Sequence, residues 1–286
     1  MASGKALVTG AAGMLGRAVA AEFRARGREV VALARQELDV TDFAAIRHSL
    51  TLHRPEVVVN CAAYTDVDGA EADYPRALRV NGLGPKYLAL ACREAGAVLV
   101  HLSTDYVFDG AKPGPYEVYD PPQPLNAYGR SKLWGERAVA EAGGRYFIVR
   151  TSWLFGPGGR NFVETMLKLG RERGAVRVVA DQRGCPTYTR DLARAIADLA
   201  ATGGCGTYHA TNRGSTTWYE FALAIFKLAG LPVTVSPCAT AEFSRPARRP
   251  ADSVLDPFPL EETLGYRLPP WEDALERYLR ERSCEA

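Results

Sequence analysis

The chain has 286 residues, which is long enough for one large α/β unit with a smaller lobe, and we expect no third domain. A hydrophobic fraction of 47%, a charged fraction of 24% and a formal net charge of +2 give no reason to expect binding to nucleic acid or to an anionic membrane. No apolar run approaches the about 18 residues of a membrane span, and the first predicted strand starts too early to leave room for a signal peptide.

Short apolar runs alternate with amphipathic helical stretches through the first half of the chain. The predicted strands cover residues 6–8, 30–33, 57–59, 98–102 and 146–149. The predicted helices between them cover residues 17–26, 42–52, 81–95 and 133–141. This alternation is typical of α/β proteins and predicts a doubly wound parallel sheet of the Rossmann-like type, with helices on both faces.

The second half of the chain is richer in turn residues. Glycine and proline cluster at residues 156–159, 184–186 and 246–259, with predicted helices at 162–172, 190–201 and 218–228. We therefore expect a dinucleotide-binding domain over residues 1–150 and a smaller C-terminal substrate lobe over residues 151–286, with some segments crossing back. The stretch 245–250 is either a solvated loop or a loop whose Arg248 or Arg249 contacts a phosphate of the substrate.

Three glycines, Gly10, Gly13 and Gly16, follow the first predicted strand. Their spacing differs from the G-x-G-x-x-G fingerprint, but the physical requirement is the same. The backbone must turn tightly, approach a pyrophosphate closely and present the N–H groups of a helix N-terminus. The pattern predicts a dinucleotide site at the carboxyl edge of the sheet, where Asn60 and Thr104 also follow strands.

Tyr128 and Lys132 are four residues apart, which places both side chains on one face of a helix. An ammonium group within about 4 Å would lower the pKa of the phenol from about 10 by a unit or two, making it a usable proton donor. Taken alone, the pair is a common accident of helical sequence. The glycine turn and the pair Ser103-Thr104 at a strand end favour a nicotinamide-dependent redox site.

The end of the second predicted strand discriminates between nicotinamide cofactors. An acidic residue there binds a ribose 2′-hydroxyl, whereas an arginine accommodates a 2′-phosphate. Residues 34–36 supply Arg35 and no carboxylate, which predicts NADPH as cofactor, with NADH as a weaker alternative. Alternatively, Arg35 faces solvent and Asp39, four residues later, competes for its guanidinium.

Several segments together resemble the dTDP-4-dehydrorhamnose reductase family of the extended short-chain dehydrogenase/reductase superfamily. The most specific is the run Ser-Thr-Asp-Tyr-Val-Phe-Asp-Gly at residues 103–110. The others are residues 38–42, 60–68, 128–132, 150–153, 161–162, 181–187 and 249–250. The resemblance runs from residue 6 to about residue 256, which is nearly the whole chain.

The resemblance implies NADPH-dependent reduction of the C4 ketone of dTDP-4-dehydro-6-deoxy-L-mannose (dTDP-4-dehydrorhamnose) to dTDP-L-rhamnose, a precursor of cell-surface polysaccharide. It implies that Tyr128 protonates the forming alkoxide, that Lys132 lowers the pKa of Tyr128 and holds the nicotinamide ribose, and that Thr104 hydrogen-bonds the carbonyl oxygen. The expected cofactor-binding residues are Gly10, Ala12, Gly13, Met14, Leu15, Gly16, Arg35, Asp39, Val40, Ala62, Ala63, Tyr64, Tyr128 and Lys132. The implied substrate-binding residues are Thr65, Val67, Thr104, Asp105, Tyr106 and Trp153, of which Tyr106 and Trp153 also suit plain core packing.

The glycine turn departs from part of the family. Some members of the family that this chain resembles look to be dimers held by a magnesium ion. The ion lies between acidic side chains, and one of these side chains lies inside the glycine turn. Here the turn carries Met14 and Leu15 and no carboxylate, so we expect no metal and either a monomer or a metal-free homodimer.

Three other functions share this cofactor site. A sugar-nucleotide 4,6-dehydratase or epimerase is disfavoured. In dehydratases the corresponding strand end resembles Thr-Asp-Glu, whereas this chain has Thr104-Asp105-Tyr106 there. A non-catalytic NADP-binding regulatory subunit, similar to the β subunit of methionine adenosyltransferase, is disfavoured by the intact Thr104, Tyr128 and Lys132. A reductase of another sugar-nucleotide 4-ketone stays open, since neither the nucleotide base nor the C4 stereochemistry follows from these residues.

The cysteines indicate a reducing compartment. Six are spread along the chain without a Cys-x-x-Cys pair, which supports neither a zinc ribbon nor a dithiol redox motif. We therefore expect a cytoplasmic protein.

Overall fold

The computed structural model describes residues 4–285. Its strands are β1 (Ala6–Thr9), β2 (Val30–Leu33), β3 (Val57–Asn60), β4 (Val98–Thr104), β5 (Tyr146–Thr151), β6 (Leu154–Phe155), β7 (Ala175–Val179), β8 (Arg183–Gly184), β9 (Thr187–Tyr188), β10 (Gly206–His209), β11 (Thr216–Thr217) and β12 (Thr234–Cys238). Its α-helices are α1 (Met14–Ala25), α2 (Phe43–His53), α3 (Val67–Ala72), α4 (Tyr74–Leu78), α5 (Gly84–Ala95), α6 (Ala127–Glu141), α7 (Phe162–Arg173), α8 (Thr189–Ala200), α9 (Trp218–Leu228), α10 (Leu260–Leu264) and α11 (Trp271–Glu285).

The central sheet has six strands in the order β10-β5-β4-β3-β1-β2, and every neighbouring pair is parallel. Successive side chains of a strand point to opposite faces, so Ala6 and Val8 pack with α1 and α8 while Leu7 packs with α2 and α5. Both faces are therefore covered by helices, and the predicted doubly wound α/β fold is confirmed.

The sheet draws on both halves of the chain. The unpredicted strand β10 pairs with β5 in parallel, with Gly206 opposite Phe147 and His209 opposite Arg150. On the same face, α8 packs against α1, and Arg26 Nη1 lies 2.6 Å from Asp198 Oδ1. The division of the chain at residues 150 and 151 stays a prediction.

A second hydrophobic cluster lies within the C-terminal half. Its buried residues come mainly from α7, α9 and α11 and include Phe155, Leu167, Phe221 and Leu275. The parallel pair β7-β12 packs against α7 and α9, and residues of α7, α9 and β7 line a cavity together with Tyr106, which follows the carboxyl end of β4. Helix α11 was not predicted, although its buried Ala274, Leu275, Tyr278 and Leu279 show helical spacing.

Three predicted helix starts are wrong. Helix α1 begins at Met14 and not at residue 17, and the other two differ for local reasons. Helix α6 begins at Ala127 and not at residue 133, because the Asn126 side chain accepts a hydrogen bond from Gly129 N and caps the helix there. The predicted helix 81–95 is α-helical only from Gly84, since a π-helical turn occupies Arg79–Leu83. The earlier start of α6 places Tyr128 and Lys132 in its first two turns.

Candidate active site

Polar side chains meet at the carboxyl edge of the sheet, as the strand ends predict. Thr9 Oγ1 donates to Asn60 Oδ1 at 2.7 Å, and Asn60 Nδ2 lies 3.1 Å from His101 Nδ1. All three residues are buried, so this chain of contacts holds the ends of β1 and β3 against β4.

The structure brings Thr104, Tyr128 and Lys132 together. Thr104 ends β4, and its hydroxyl lies near enough to the Tyr128 phenol to act on the pKa of that phenol. Lys132, one turn further along α6, donates from Nζ to the carbonyl oxygen of Leu102 at 2.6 Å. Two hydroxyls and one ammonium group thus lie at the end of β4, an arrangement suited to proton transfer to a carbonyl oxygen.

Burial dominates the proton affinity of the Tyr128 phenol. It raises the pKa of Tyr128 to about 12, and the nearby Thr104 hydroxyl opposes that rise only in part. Lys132 is not among the groups that shift this pKa, so the expected lowering of the Tyr128 pKa by Lys132 is wrong. The reason is that the ammonium donates to Leu102 O, whereas desolvation acts on the phenol directly.

The glycine turn is shaped by close backbone contacts. Gly10 has φ 63°, and a Cβ there would lie 2.6 Å from Ala62 N. A Cβ on Gly16 would lie 2.3 Å from the carbonyl oxygen of Gly10. Gly13 caps α1 without a side chain, and the first turn of α1 carries no acidic residue. These features fit an anionic group at this helix N-terminus.

The other residues predicted in this turn differ in exposure. Ala12 is exposed, while Met14 is half-buried beside the second half of the chain, with Asn161 Nδ2 3.5 Å from its Sδ. The Leu15 side chain is buried in the core on the α1 side of the sheet, so only its backbone is available to a ligand.

The end of β2 carries a carboxylate that the sequence analysis overlooked. Glu37 Oε2 accepts a hydrogen bond from Ala34 N at 2.7 Å, so the expectation of no carboxylate at this position is wrong. The turn after β2 brings Glu37 back to the strand end. The Arg35 side chain is 69% exposed, with Nε 3.9 Å from Asp39 Oδ2. Val40 is buried against Gly84.

The segment after β3 is fixed by a buried asparagine that was not predicted as a site residue. Asn81 Oδ1 accepts from Tyr64 N at 2.8 Å, and its Nδ2 donates to Tyr64 O and to Ser131 Oγ. Asn81 thereby connects the predicted cofactor-binding segment 62–64, of which Ala63 is exposed, to helix α6. A single polar residue at the start of an apolar helical pattern was the available signal.

The predicted substrate residues do not all face open space. Thr65 is exposed and Val67 is half-buried. Asp105 is buried and accepts hydrogen bonds from Thr104 Oγ1 at 3.0 Å and Ser253 Oγ at 2.6 Å. Burial raises the pKa of Asp105 to about 7. Its carboxyl group therefore orients Thr104 within the protein.

A cavity of about 600 Å³ adjoins this edge, and Tyr106 and Trp218 are among its lining residues. The Tyr106 ring meets that of Tyr128 edge to face at 6.0 Å, and Trp153 stacks on Trp218 at 3.4 Å. Trp153 has φ 46°, an uncommon value for a residue other than glycine.

Two of the arginines lining the cavity are anchored to α3. Asp68 pairs with Arg249 at 2.8 Å and with Arg245 at 3.3 Å. The hydrogen bond from Arg249 is the main cause that lowers the pKa of Asp68 to about 2. The solvated-loop interpretation is wrong for Arg249, whose side chain is 16% exposed, whereas Arg248 is exposed.

One known protein family matches nearly the whole chain. Residues 4–284 match the family described as the RmlD substrate binding domain. The chain belongs to this family. It is 51% identical over 257 residues to a Streptomyces griseus protein named dTDP-4-dehydrorhamnose reductase, a match that covers 87% of this chain and 84% of that one. It is 44% identical over 279 residues to the Bacillus subtilis spore coat polysaccharide biosynthesis protein SpsK, covering 98% of each chain. The predicted family resemblance is confirmed.

Solved structures of RmlD-type proteins have the same fold. The dTDP-4-dehydrorhamnose reductase of Bacillus anthracis, solved in complex with NADP, superposes with a TM-score of 0.95 at 41% identity and covers 98% of this chain and 100% of that one. The corresponding protein of Clostridium acetobutylicum gives a TM-score of 0.95 at 42% identity, covering 98% and 99%.

Two features are absent from residues 4–285: a cluster of metal-ligating side chains and a helix able to span a membrane. No group of three or more His, Cys, Asp or Glu side chains there could hold a metal ion. No helix in that range is both long and apolar enough to span a bilayer. The absence of a metal in the working protein stays a prediction.

Proposed function

We propose that this protein is an NADPH-dependent oxidoreductase that reduces the C4 ketone of dTDP-4-dehydrorhamnose to dTDP-L-rhamnose in polysaccharide precursor biosynthesis. The observation that carries the proposal is the placement of the Thr104 hydroxyl beside the Tyr128 phenol at the end of β4, with Lys132 one helical turn away on α6. The names of the relatives and the NADP in the Bacillus anthracis structure support the same reaction.

Each residue of the trio has one role in this proposal. Bound NADPH would supply the hydride. Tyr128 gives its phenolic proton to the oxygen that was the ketone, and Thr104 hydrogen-bonds that oxygen. The Lys132 ammonium, one helical turn further along α6, would hold the nicotinamide ribose.

The residues predicted from the sequence would hold the cofactor and the sugar nucleotide. The glycine turn (Gly10, Ala12, Gly13, Met14, Leu15 and Gly16) would face the pyrophosphate, and Asp39 and Val40 would flank the adenine. The segment Ala62 to Tyr64 would line the cofactor cleft. Thr65, Val67, Asp105, Tyr106 and Trp153 would surround the sugar nucleotide beside the cavity, with Asp105 acting through Thr104.

The proposal is tested by supplying the purified protein with NADPH and the keto sugar made enzymatically in situ, and by identifying the product by NMR. We expect oxidation of NADPH with formation of the rhamno product. A different C4 epimer or sugar would indicate a reductase closer to the Streptomyces niveus relative named dTDP-4-keto-6-deoxy-D-glucose reductase, which is 46% identical over 251 residues. Binding of NADPH without turnover would indicate a regulatory subunit.

We predict a preference for NADPH over NADH that depends on Arg35. A charge-assisted hydrogen bond from its guanidinium to the 2′-phosphate contributes about 1.5–3 kcal/mol, and the exposure of Arg35 favours the lower figure, about tenfold in kcat/KM. The kcat/KM values with both cofactors are compared for the wild type, Arg35→Ala and the control Arg47→Ala, an exposed arginine on α2. A preference unchanged in Arg35→Ala would show that another residue reads the phosphate.

We predict that Trp153→Ala raises KM for the sugar nucleotide about tenfold and leaves NADPH affinity unchanged. The substitution removes the stacking partner of Trp218, which lines the cavity, so Tm should also fall. Trp134→Ala is the control, because Trp134 lies on α6 near Gly82 and Lys86. An unchanged KM together with a lower Tm would make Trp153 a packing residue only.

A cytoplasmic location and a monomeric or metal-free dimeric state are also proposed. Cys61, Cys92, Cys185, Cys205 and Cys238 are free thiols, which suits a reducing compartment. Light scattering with and without EDTA tests the assembly, and a mass that changes on chelation would contradict the metal-free state.

A further inference from the structure

A third polar residue shares the catalytic face of α6. Tyr128, Lys132 and Glu136 follow one another at intervals of four residues, so their side chains line one side of the helix. Glu136 is 4% exposed, an unusual environment for a carboxylate unless it is paired. It has no part in the proton transfer described above.

Glu136 is held by donors from two strands. It accepts hydrogen bonds from Ser103 Oγ at 2.5 Å, from Arg150 Nε at 3.0 Å and from Arg150 Nη2 at 2.7 Å. Ser103 and Arg150 are register partners on β4 and β5. Since Ser103 directly precedes Thr104, these bonds fix the strand end that carries Thr104 to the helix that carries Tyr128.

The far side of Arg150 is closed by neutral groups. Arg150 Nη1 lies 3.4 Å from His209 Nε2 and 3.4 Å from Val118 O, and its guanidinium lies 5.1 Å from the Phe108 ring centre. Burial, followed by the Arg150 charge, lowers the pKa of His209 to about 3, so the imidazole is neutral. Glu136 and Arg150 therefore form a buried ion pair, and the three groups named beyond Arg150 carry no charge.

The charged groups around Lys132 come from three elements. Burial lowers the pKa of Lys132 to about 8, and the Glu136 charge opposes that fall. Burial raises the pKa of the Cys61 thiol, which follows β3, to about 12. Burial also lowers the pKa of His101 on β4, so the thiol and the imidazole are both neutral near pH 7. With Tyr128 also neutral, Glu136 is the negative charge that acts on Lys132 among these groups.

We propose that Glu136 is a positioning residue: it fixes the end of β4 to α6 and supplies the negative charge that keeps Lys132 in its ammonium form. The proposal rests on the proposed function for its catalytic consequence, because the ammonium matters to a reductase that uses Tyr128 as acid. The effect of the Glu136 charge on Lys132 can be measured from NADPH binding alone, without the keto sugar.

The test compares the wild type with Glu136→Gln, with Glu136→Gln/Arg150→Met and with Glu141→Gln, which removes an exposed carboxylate from the same helix. The glutamine can still accept from Ser103 and Arg150. The double variant removes the buried Arg150 charge left without a partner, and so protects against a simple failure to fold. For each protein, the dissociation constant of NADPH and kcat/KM are measured from pH 6 to pH 9.5, and Tm is measured at pH 7.

In the wild type, binding should weaken and kcat/KM should fall as pH rises through about 8, because Lys132 loses its proton above its pKa. In both Glu136 variants the midpoint should move about one pH unit lower. Near pH 6, where Lys132 is charged in all proteins, NADPH binding by the double variant should match the wild type within about threefold. Tm should fall in the single variant and recover at least in part in the double variant.

Midpoints equal to that of the wild type in both Glu136 variants, with only Tm altered, would overturn the proposal and leave Glu136 a structural residue. A wild type that binds NADPH with this pH dependence but reduces no keto sugar would remove the proposed function. The shift of the binding midpoint in the variants would still decide the role of Glu136.

Discussion

Replacement of Tyr128 by phenylalanine is expected to lower kcat at least about 10²-fold, while NADPH affinity changes little. The phenol lies beside the Thr104 hydroxyl at the end of β4, and loss of a general acid commonly costs about 10²- to 10⁴-fold. The ring should stay in place, since its edge-to-face contact with Tyr106 does not need the hydroxyl. Single-turnover NADPH oxidation measures the chemical step directly.

Tyr119→Phe is the matched control for that variant. Tyr119 is 80% exposed and loses the same hydroxyl, so its kcat should equal that of the wild type. A Tyr128→Phe protein with near-normal kcat would require another proton donor, and the Thr104 hydroxyl would then be the first group to replace.

Replacement of Lys132 by methionine should damage both binding and chemistry. We expect NADPH to bind about tenfold or more weakly and kcat to fall about 10²-fold, because Lys132 lies one helical turn from Tyr128 and its ammonium is proposed to hold the nicotinamide ribose. Stability should respond differently. Burial disfavours the charged form of Lys132, so an apolar side chain of similar length should leave Tm unchanged or higher.

Fluorescence titration with NADPH, steady-state kinetics and thermal melting separate these three effects for Lys132→Met. Lys86→Met, an exposed substitution on α5, controls for the loss of one surface charge. A large drop in Tm for Lys132→Met would mean that the bond to Leu102 O outweighs the cost of burial. Unchanged NADPH affinity would remove Lys132 from the cofactor site.

The sequence was sufficient for the parts of the fold and site that depend on short-range patterns. Apolar runs of three to five residues located β1 to β5, and the polar residues after them predicted which sheet edge holds the site. The four-residue spacing of Tyr128 and Lys132 was enough to place both on one helical face. Family-specific motifs then supplied the roles.

Long-range features could not be predicted in this way. The pKa of Tyr128 depends on burial by the whole fold, and spacing alone gave the wrong direction. Glu37 returns to the end of β2 through a turn, and Asn81 and Glu136 find partners on other elements only after folding. The four-residue spacing shows that Glu136 shares a helical face with Lys132, but it does not show its partners Ser103 and Arg150 on β4 and β5.

The late position of β10 has a consequence for synthesis of the protein on the ribosome. Until residues 206–209 emerge, β5 is the outermost strand on its side of the sheet and its backbone N–H and C=O groups have no partner there. The nascent chain must therefore carry an open, β-rich edge while more than fifty further residues are made, as the gap from Thr151 to Gly206 shows. Such an edge is a template for pairing with other nascent chains. Ribosome stalling or truncation before Gly206 should consequently yield aggregates, whereas the same event after His209 leaves the large sheet complete.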